Sequence, residues 1–317
     1  MIRPASSLAH ACALLLTLAG FLGGGRMAAA GPVTLPGTEE RLVIAKSGLA
    51  YRIFIALPQE PPPPEGYPVL YVLDGNAVAG TLSDYARTQA RSQGGLIQPA
   101  VLVAVGYPGD APHNMRRRAP DLTPAPAPAG DRSTYLKPED TGAADAFLSF
   151  LLDELRPSIN KDFAVNPARQ GLMGHSFGGL FTLHVLFTRP DAFSTYIAAS
   201  PSIWWADNAI LKEEAAFAAH PPAGKRRLLL TVGGQEQQLH PGLADLPEAE
   251  SVARRLADRR MVDAARELSS RLAALPGQPA NVTLEVFPGQ THASAAPHAL
   301  LAGLEFFLGP QAKDGAP

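Results

Sequence analysis

Apolar residues along this chain fall into two rhythms. Short, nearly unbroken apolar runs occupy residues 68–74, 100–106, 169–175, 195–199, 227–232 and 282–287. Runs of that kind suit strands of a parallel sheet covered on both faces. Between them the spacing changes to a helical period. Residues 143–155 carry Phe147, Leu148, Leu151, Leu152 and Leu155, and residues 178–187, 248–274 and 299–308 read as further helices. Residues 42–45 and 51–57 read as strands joined by the turn Lys46-Ser47-Gly48-Leu49, which makes them an antiparallel pair. Strands alternating with helices predict an α/β fold with a doubly wound, mostly parallel sheet. Residues 107–140 show no period and are rich in proline. Because they leave the end of a core strand, they are expected to lie beside the functional site.

The 317 residues suffice for one large domain, and no internal repeat or second domain is visible. The N-terminus reads differently from the rest. Arg3, an apolar stretch over residues 11–22 and the small-residue run Ala28-Ala29-Ala30-Gly31 predict a secretory signal over residues 1–30, cut after Ala30. Residues 31–317 then form the single mature domain, periplasmic or secreted. An uncleaved anchor facing the periplasm is the alternative. The apolar stretch falls short of the ~20 residues of a spanning helix. No second long apolar stretch follows, so no transmembrane span is expected in the mature chain. The only cysteine, Cys12, lies in the leader, which leaves the mature chain without a thiol for a disulfide, a nucleophile or a metal site. A net charge of -2 gives no sign of a nucleic-acid partner, and the clusters Arg116-Arg117-Arg118 and Arg226-Arg227 read as solvated faces.

Candidate chemistry centres on Gly174-His175-Ser176-Phe177-Gly178. An apolar strand precedes it and an apolar helix follows, the context that turns G-x-S-x-G into a nucleophile elbow. Ser176 would be the nucleophile, but a serine hydroxyl at its free pKa needs a base. In such sites the acid and then the histidine follow the serine along the chain. His292, in the loop after a late strand and before the last helix, fits the base, with His298 as second choice. Glu236, just after the strand ending at Val232, is the nearest acid, with Asp245, Asp258 and Asp207 as fallbacks. Its role would be to hold the histidine tautomer. The oxyanion hole is expected from the Phe177 backbone N–H and from Gly75 or Asn76, in the loop after residues 68–74. Gly75 would let the main chain approach the substrate closely.

Several segments together carry a family resemblance. They are Tyr51-Arg52-Ile53-Phe54-Ile55, Val69-Leu70-Tyr71-Val72-Leu73-Asp74-Gly75-Asn76, Arg118-Ala119-Pro120-Asp121-Leu122-Thr123-Pro124, the elbow, Ser200-Pro201-Ser202-Ile203-Trp204-Trp205 and Phe287-Pro288-Gly289-Gln290-Thr291-His292. The chain resembles the esterase D-like branch of the α/β-hydrolases, and within it the bacterial trilactone hydrolases that open enterobactin, salmochelin and bacillibactin. The resemblance implies an α/β-hydrolase fold, Ser176 as nucleophile and His292 as base. It also implies a small-molecule ester substrate, apo or ferric catecholate siderophore, and no cofactor or metal. Gly233-Gly234-Gln235-Glu236 is similar to a Gly-Glu-Xaa-Glu pattern in relatives, with glycine in place of the first glutamate. Arg118 falls in a segment that borders the substrate in the family, where it would contact an anionic ligand or instead pair with Asp121. Trp204 and Trp205 would stack on an aromatic substrate or serve packing. A serine esterase is the expected activity. The alternatives are a broad carboxylesterase or acyltransferase of the same fold, and a non-catalytic exported binding protein.

Overall fold

Eight strands form one sheet in the order β1-β2-β4-β3-β5-β6-β7-β8 in a computed structural model that describes residues 34–90, 94–130 and 136–310. The predicted leader, residues 1–30, lies outside the described residues, and the described residues from Leu35 to Pro310 belong to one compact unit. The strands are β1 (Thr38–Ile44), β2 (Ala50–Ala56), β3 (Tyr67–Leu73), β4 (Val101–Gly106), β5 (Val165–His175), β6 (Thr195–Ala199), β7 (Arg226–Gly233) and β8 (Ala280–Phe287). β1 pairs antiparallel with β2, as the turn at 46–49 implied, and β2 pairs antiparallel with β4. All later pairings are parallel. The chain moves from β3 to β4 on one side and then returns to place β5 on the other side of β3. That reversal opens a crevice at the C-terminal ends of β3 and β5, where ligands of doubly wound sheets bind.

Alternate strand residues face two separate cores. Leu70, Val72, Leu102, Met173, Ile197 and Leu229 point to one side. Helices α1 (Gly75–Thr88) and α10 (His292–Leu308) cover them through Leu82, Leu300, Leu304 and Phe307. Val69, Tyr71, Leu73, Leu172, Tyr196 and Leu228 face the other side. There the central helix α5 (Phe177–Thr188) is buried from Phe177 to Phe187, which matches an apolar sequence with no polar face. The same core takes residues from α3 (Ala144–Phe150), α4 (Arg156–Asp162), α7 (Ile210–Ala219) and α9 (Met261–Ala273), and from α2 (Met115–Leu122) and the short α6 (Trp205–Asn208), whereas α8 (Ala249–Arg259) buries nothing.

Four sequence expectations change. The helix read at 248–274 is two helices, broken at Arg260, which adopts a left-handed φ of 47°. α9 buries Met261, Val262, Ala265 and Leu268 whereas α8 buries nothing, so the core holds only the second half of the pattern. The helix read at 143–155 continues through a π turn at Leu151–Leu155 into α4. α1 and α7 escaped the periodicity reading, since α1 buries only Gly75 and Leu82, and α7 only Ile210, Glu214 and Phe217. Finally, the aperiodic stretch 107–140 contains α2. Its sequence is polar, with Pro120 inside, and it is held by tertiary burial of Arg118, Ala119, Asp121 and Leu122.

The α2 anchor titrates. Asp121 faces the hydroxyls of Tyr51 and Tyr107 and the Arg117 guanidinium. Burial, only partly offset by those groups, pushes its carboxyl up to about 6. The folded chain thus binds this proton more tightly than the unfolded chain, whose aspartates titrate near ~3.9. The associated stability is complete below about pH 4 and is lost as pH rises through about 6. Asp121→Asn, which cannot ionise, should remove that loss. In melting curves from about pH 4 to about pH 7, Tm of the variant relative to the parent should rise with pH. A difference that stays flat would contradict this account of α2.

Candidate active site

β5 runs into the crevice and stops at Ser176. This residue has φ 60° and ψ −116°, a conformation that side chains other than hydrogen rarely adopt, and its neighbours hold it there. The Ser176 N–H donates to Ala199 O at 2.9 Å, and Ser176 O accepts from Leu180 N at 2.9 Å and Ser202 N at 3.2 Å. The turn is tight enough that a Cβ at Gly174 would lie 2.4 Å from the Gly178 carbonyl carbon, which explains the leading glycine of the motif. The sharp turn therefore presents the Ser176 hydroxyl at the N-terminus of α5.

His292 Nε2 lies 3.0 Å from Ser176 Oγ, and His292 Nδ1 lies 2.6 Å from Glu236 Oε2. A carboxylate only accepts, so Nδ1 carries the hydrogen and Nε2 is left to accept from the serine. His292 is not in a loop ahead of the last helix. It is the first residue of α10, where a capping box between Thr291 and Ser294 fixes it: the Thr291 N–H donates to Ser294 Oγ at 2.9 Å. His298, the second choice as base, sits six residues further along α10, with Nδ1 2.9 Å from Ser294 O. Glu236 is 1% exposed. Beyond His292, its Oε1 accepts from Ser200 Oγ at 2.5 Å and from the Gly233 N–H at 2.6 Å. Asp207, Asp245 and Asp258 make no such contact with His292.

Two groups here were not singled out from sequence. Ser200 is fully buried at a left-handed φ of 42° and reaches Glu236. His175, the variable position of the elbow, lies beside His292 with ring centroids 4.6 Å apart. Its Nε2 donates to the His292 carbonyl oxygen at 3.1 Å. Burial first, then the neighbouring His292, pushes its pKa down to about 3, so it adds no charge beside the base. Neither role carries a sequence signature. Ser200 was visible only as part of Ser-Pro-Ser, and His175 only as a motif spacer.

Phe177 opens α5, and Gly75 and Asn76 open α1. The first N–H groups of a helix have no intrahelical acceptor, so both turns offer donors near the strand ends. The Asn76 side chain is engaged elsewhere: its Oδ1 accepts from the Tyr107 N–H, and its Nδ2 donates to Tyr107 O and Gly109 O. Gly75 has no room for a side chain, since a Cβ there would meet the Ala104 carbonyl carbon at 2.8 Å. Arg118 is buried rather than on a solvated face, and its partner is Asp74, not Asp121. Trp205 is 1% exposed and donates its indole N–H to Ala125 O at 2.7 Å, a packing role that keeps it from a substrate. Trp204 is half-buried, with the Arg259 guanidinium 4.0 Å above its ring centroid. Among the described residues, no group of three or more His, Cys, Asp or Glu side chains could hold a metal ion, and no helix is long and apolar enough to cross a membrane.

A buried carboxylate, an oriented imidazole and an elbow serine at the switch point of this sheet are the parts of an acyl-transfer site on an α/β-hydrolase fold. A sequence profile described as "Putative esterase" matches residues 45–273, well over half the chain. The chain belongs to that esterase family. It is 37% identical over 282 residues to the ferri-bacillibactin esterase BesA of Bacillus subtilis, covering 87% of this chain and 91% of that one. It is 35% identical over 290 residues to a siderophore triacetylfusarinine C esterase of Aspergillus fumigatus, covering 87% and 95%. Among solved structures, siderophore hydrolase EstB from Aspergillus nidulans superposes with a TM-score of 0.78 at 29% identity, over 89% of this chain and 98% of that one.

The geometry sets a sharp expectation for the acid. Glu236→Gln keeps the shape but presents an amide where the Nδ1–H now finds a carboxylate. kcat on p-nitrophenyl butyrate should fall about 10²- to 10⁴-fold with little change in KM, because the imidazole loses its tautomer. A loss under about threefold would remove Glu236 from the site's chemistry.

Proposed function

We propose that this protein is a serine esterase whose substrate is the trilactone backbone of a catecholate siderophore, apo or ferric. Ser176 Oγ attacks a lactone carbonyl while His292 Nε2 takes its proton. The backbone N–H groups of Phe177 and of Gly75 or Asn76 meet the oxyanion. Collapse of the tetrahedral adduct breaks the C–O bond, and the leaving alkoxide recovers the proton from His292. Water then enters by the same route in reverse, releasing the acid and regenerating Ser176. Glu236 keeps Nδ1–H in place and stabilises the imidazolium. The single observation that carries this reading is the unbroken hydrogen-bonded line from Ser176 through His292 to the buried Glu236.

The substrate class is supported by relatives of similar length named for siderophore esters. Export is supported by the composition of residues 1–30, with Arg3, the apolar stretch and Ala28-Ala29-Ala30-Gly31. Iron carried by a ferric siderophore would be cargo of the substrate and not a resident cofactor.

The test is hydrolysis of apo and ferric enterobactin by residues 31–317, with p-nitrophenyl butyrate alongside and Ser176→Ala as control. The parent should open the trilactone, and the variant should lose at least ~10³-fold on both substrates. Turnover of the butyrate with no attack on either siderophore would overturn the substrate assignment and leave the esterase. Retained turnover in Ser176→Ala would overturn the nucleophile. Mass spectrometry of the protein recovered from a periplasmic extract should begin it at Gly31.

A further inference from the structure

The donors assigned to the oxyanion come from two separate places, the start of α5 after β5 and the start of α1 after β3. Charge stabilisation requires them to converge on one point, and small errors in aim are costly. One side chain from a third element touches both places. Arg118, on α2, donates from Nε to Asp74 Oδ1 at 2.7 Å and from Nη2 to Asp74 Oδ2 at 2.8 Å. Its guanidinium carbon lies 5.6 Å from the centroid of the Phe177 ring. The Arg118 and Asp74 side chains are 7% and 6% exposed.

Asp74 immediately precedes α1, at a left-handed φ of 57°. An aspartate just ahead of a helix, where its backbone is extended, caps the first N–H groups with its carboxylate; Asp74 has a left-handed backbone instead. Here it makes no such bond, and the carboxylate is turned into the Arg118 fork. Among the described residues no acceptor meets the N–H of Gly75 or Asn76, whereas the next donor, Ala77 N, is used by Asp74 O at 2.9 Å. The pair is strongly ionic: burial alone would raise the Asp74 carboxyl, yet Arg118, aided by His113, holds it down at about 2.

We infer that Arg118 is the positioning residue of the oxyanion hole: it draws the Asp74 carboxylate off the first turn of α1, leaves the Gly75 and Asn76 N–H groups open to an oxyanion, and braces that turn against Phe177. The inference rests on the proposed role of Ser176. It gives Arg118 work that is independent of the substrate's charge. A lysine would keep the charge but lose the two-pronged grip on the carboxylate.

The test compares Arg118→Lys, Arg118→Gln, Asp74→Asn and Asp74→Asn/Arg118→Gln on neutral p-nitrophenyl butyrate and on apo enterobactin. Folding is verified by near-ultraviolet circular dichroism, and rates are normalised to sites labelled exhaustively by a fluorophosphonate. Arg118→Lys should lower kcat about tenfold or more on both esters by the same factor, with KM within about threefold. Asp74→Asn frees an amide to cap α1 and should do the same. The double variant should lose no more than the worse single, since both substitutions remove one interaction. A butyrate kcat within about twofold of the parent in Arg118→Lys would overturn the inference. So would a loss confined to the KM of the siderophore, or additive losses in the double variant. Should Arg118→Lys fail to fold, Asp74→Asn and the double variant decide by the same criteria. Butyrate turnover that survives Ser176→Ala marks instead a failure of the underlying reading.

Discussion

The Glu236 carboxylate is the constraint on which the site depends. A carboxylate with 1% exposure is tenable only if its lone pairs are met by donors, since an unpaired buried charge is expensive. Its donors come from three elements: Ser200 at the end of β6, the Gly233 N–H at the end of β7, and His292 at the start of α10. Meeting them fixes three strand and helix ends against one another. The same requirement binds the acid turn to the base turn. Gln235 N donates to Gln290 O at 2.9 Å, and a Cβ at Gly233 would lie 2.4 Å from that same oxygen. His292 is thus aimed by packing and hydrogen bonding before any substrate arrives, which is what preorganisation asks of a base.

Strained backbone recurs where this frame meets the crevice. Asp74, Ser176 and Ser200 follow the C-terminal ends of β3, β5 and β6, and each is a non-glycine residue at positive φ. Each such residue costs about 1–2 kcal/mol. That cost is tolerable because each is overdetermined: Asp74 by Arg118, Ser176 by backbone bonds to Ala199, Leu180 and Ser202, and Ser200 by Glu236 and a 2.8 Å bond from its N–H to Thr231 O. The sheet supplies rigidity that a loop-built site would lack, and the strained residues convert it into aim.

How much of this was legible in the sequence follows from what kind of interaction holds each part. The parallel strands were readable because burial on both faces leaves unbroken apolar runs, as at residues 100–106. Ser176 and His292 were readable because the elbow and the late histidine obey chain order. Glu236 could be chosen only as the nearest carboxylate, because what singles it out is burial among donors far apart in sequence. α2 was invisible for the same reason. Its eight residues carry no apolar stripe, and their inward charges, Arg118 and Asp121, find partners on β2, on the turn after β3 and just beyond β4. The arginine run looked like a solvated face because a charge that is buried and paired spells the same letters as one that is not.

That last ambiguity bears on how this fold divides its labour. The segment after β4 combines proline-rich, aperiodic chain with a helix whose buried side is half ionic. Such a helix gains little from propensity and depends on its tertiary partners. Yet it is the element that reaches both the turn after β3 and the first residue of α5. Its inward charges therefore do what an apolar stripe does elsewhere: Arg118 ties the helix to the turn after β3 and to Phe177, and Asp121 with Arg117 ties it to Tyr51 of β2 and to Tyr107 just beyond β4. The least periodic part of the chain is thus fastened to the strand ends on which the site is built.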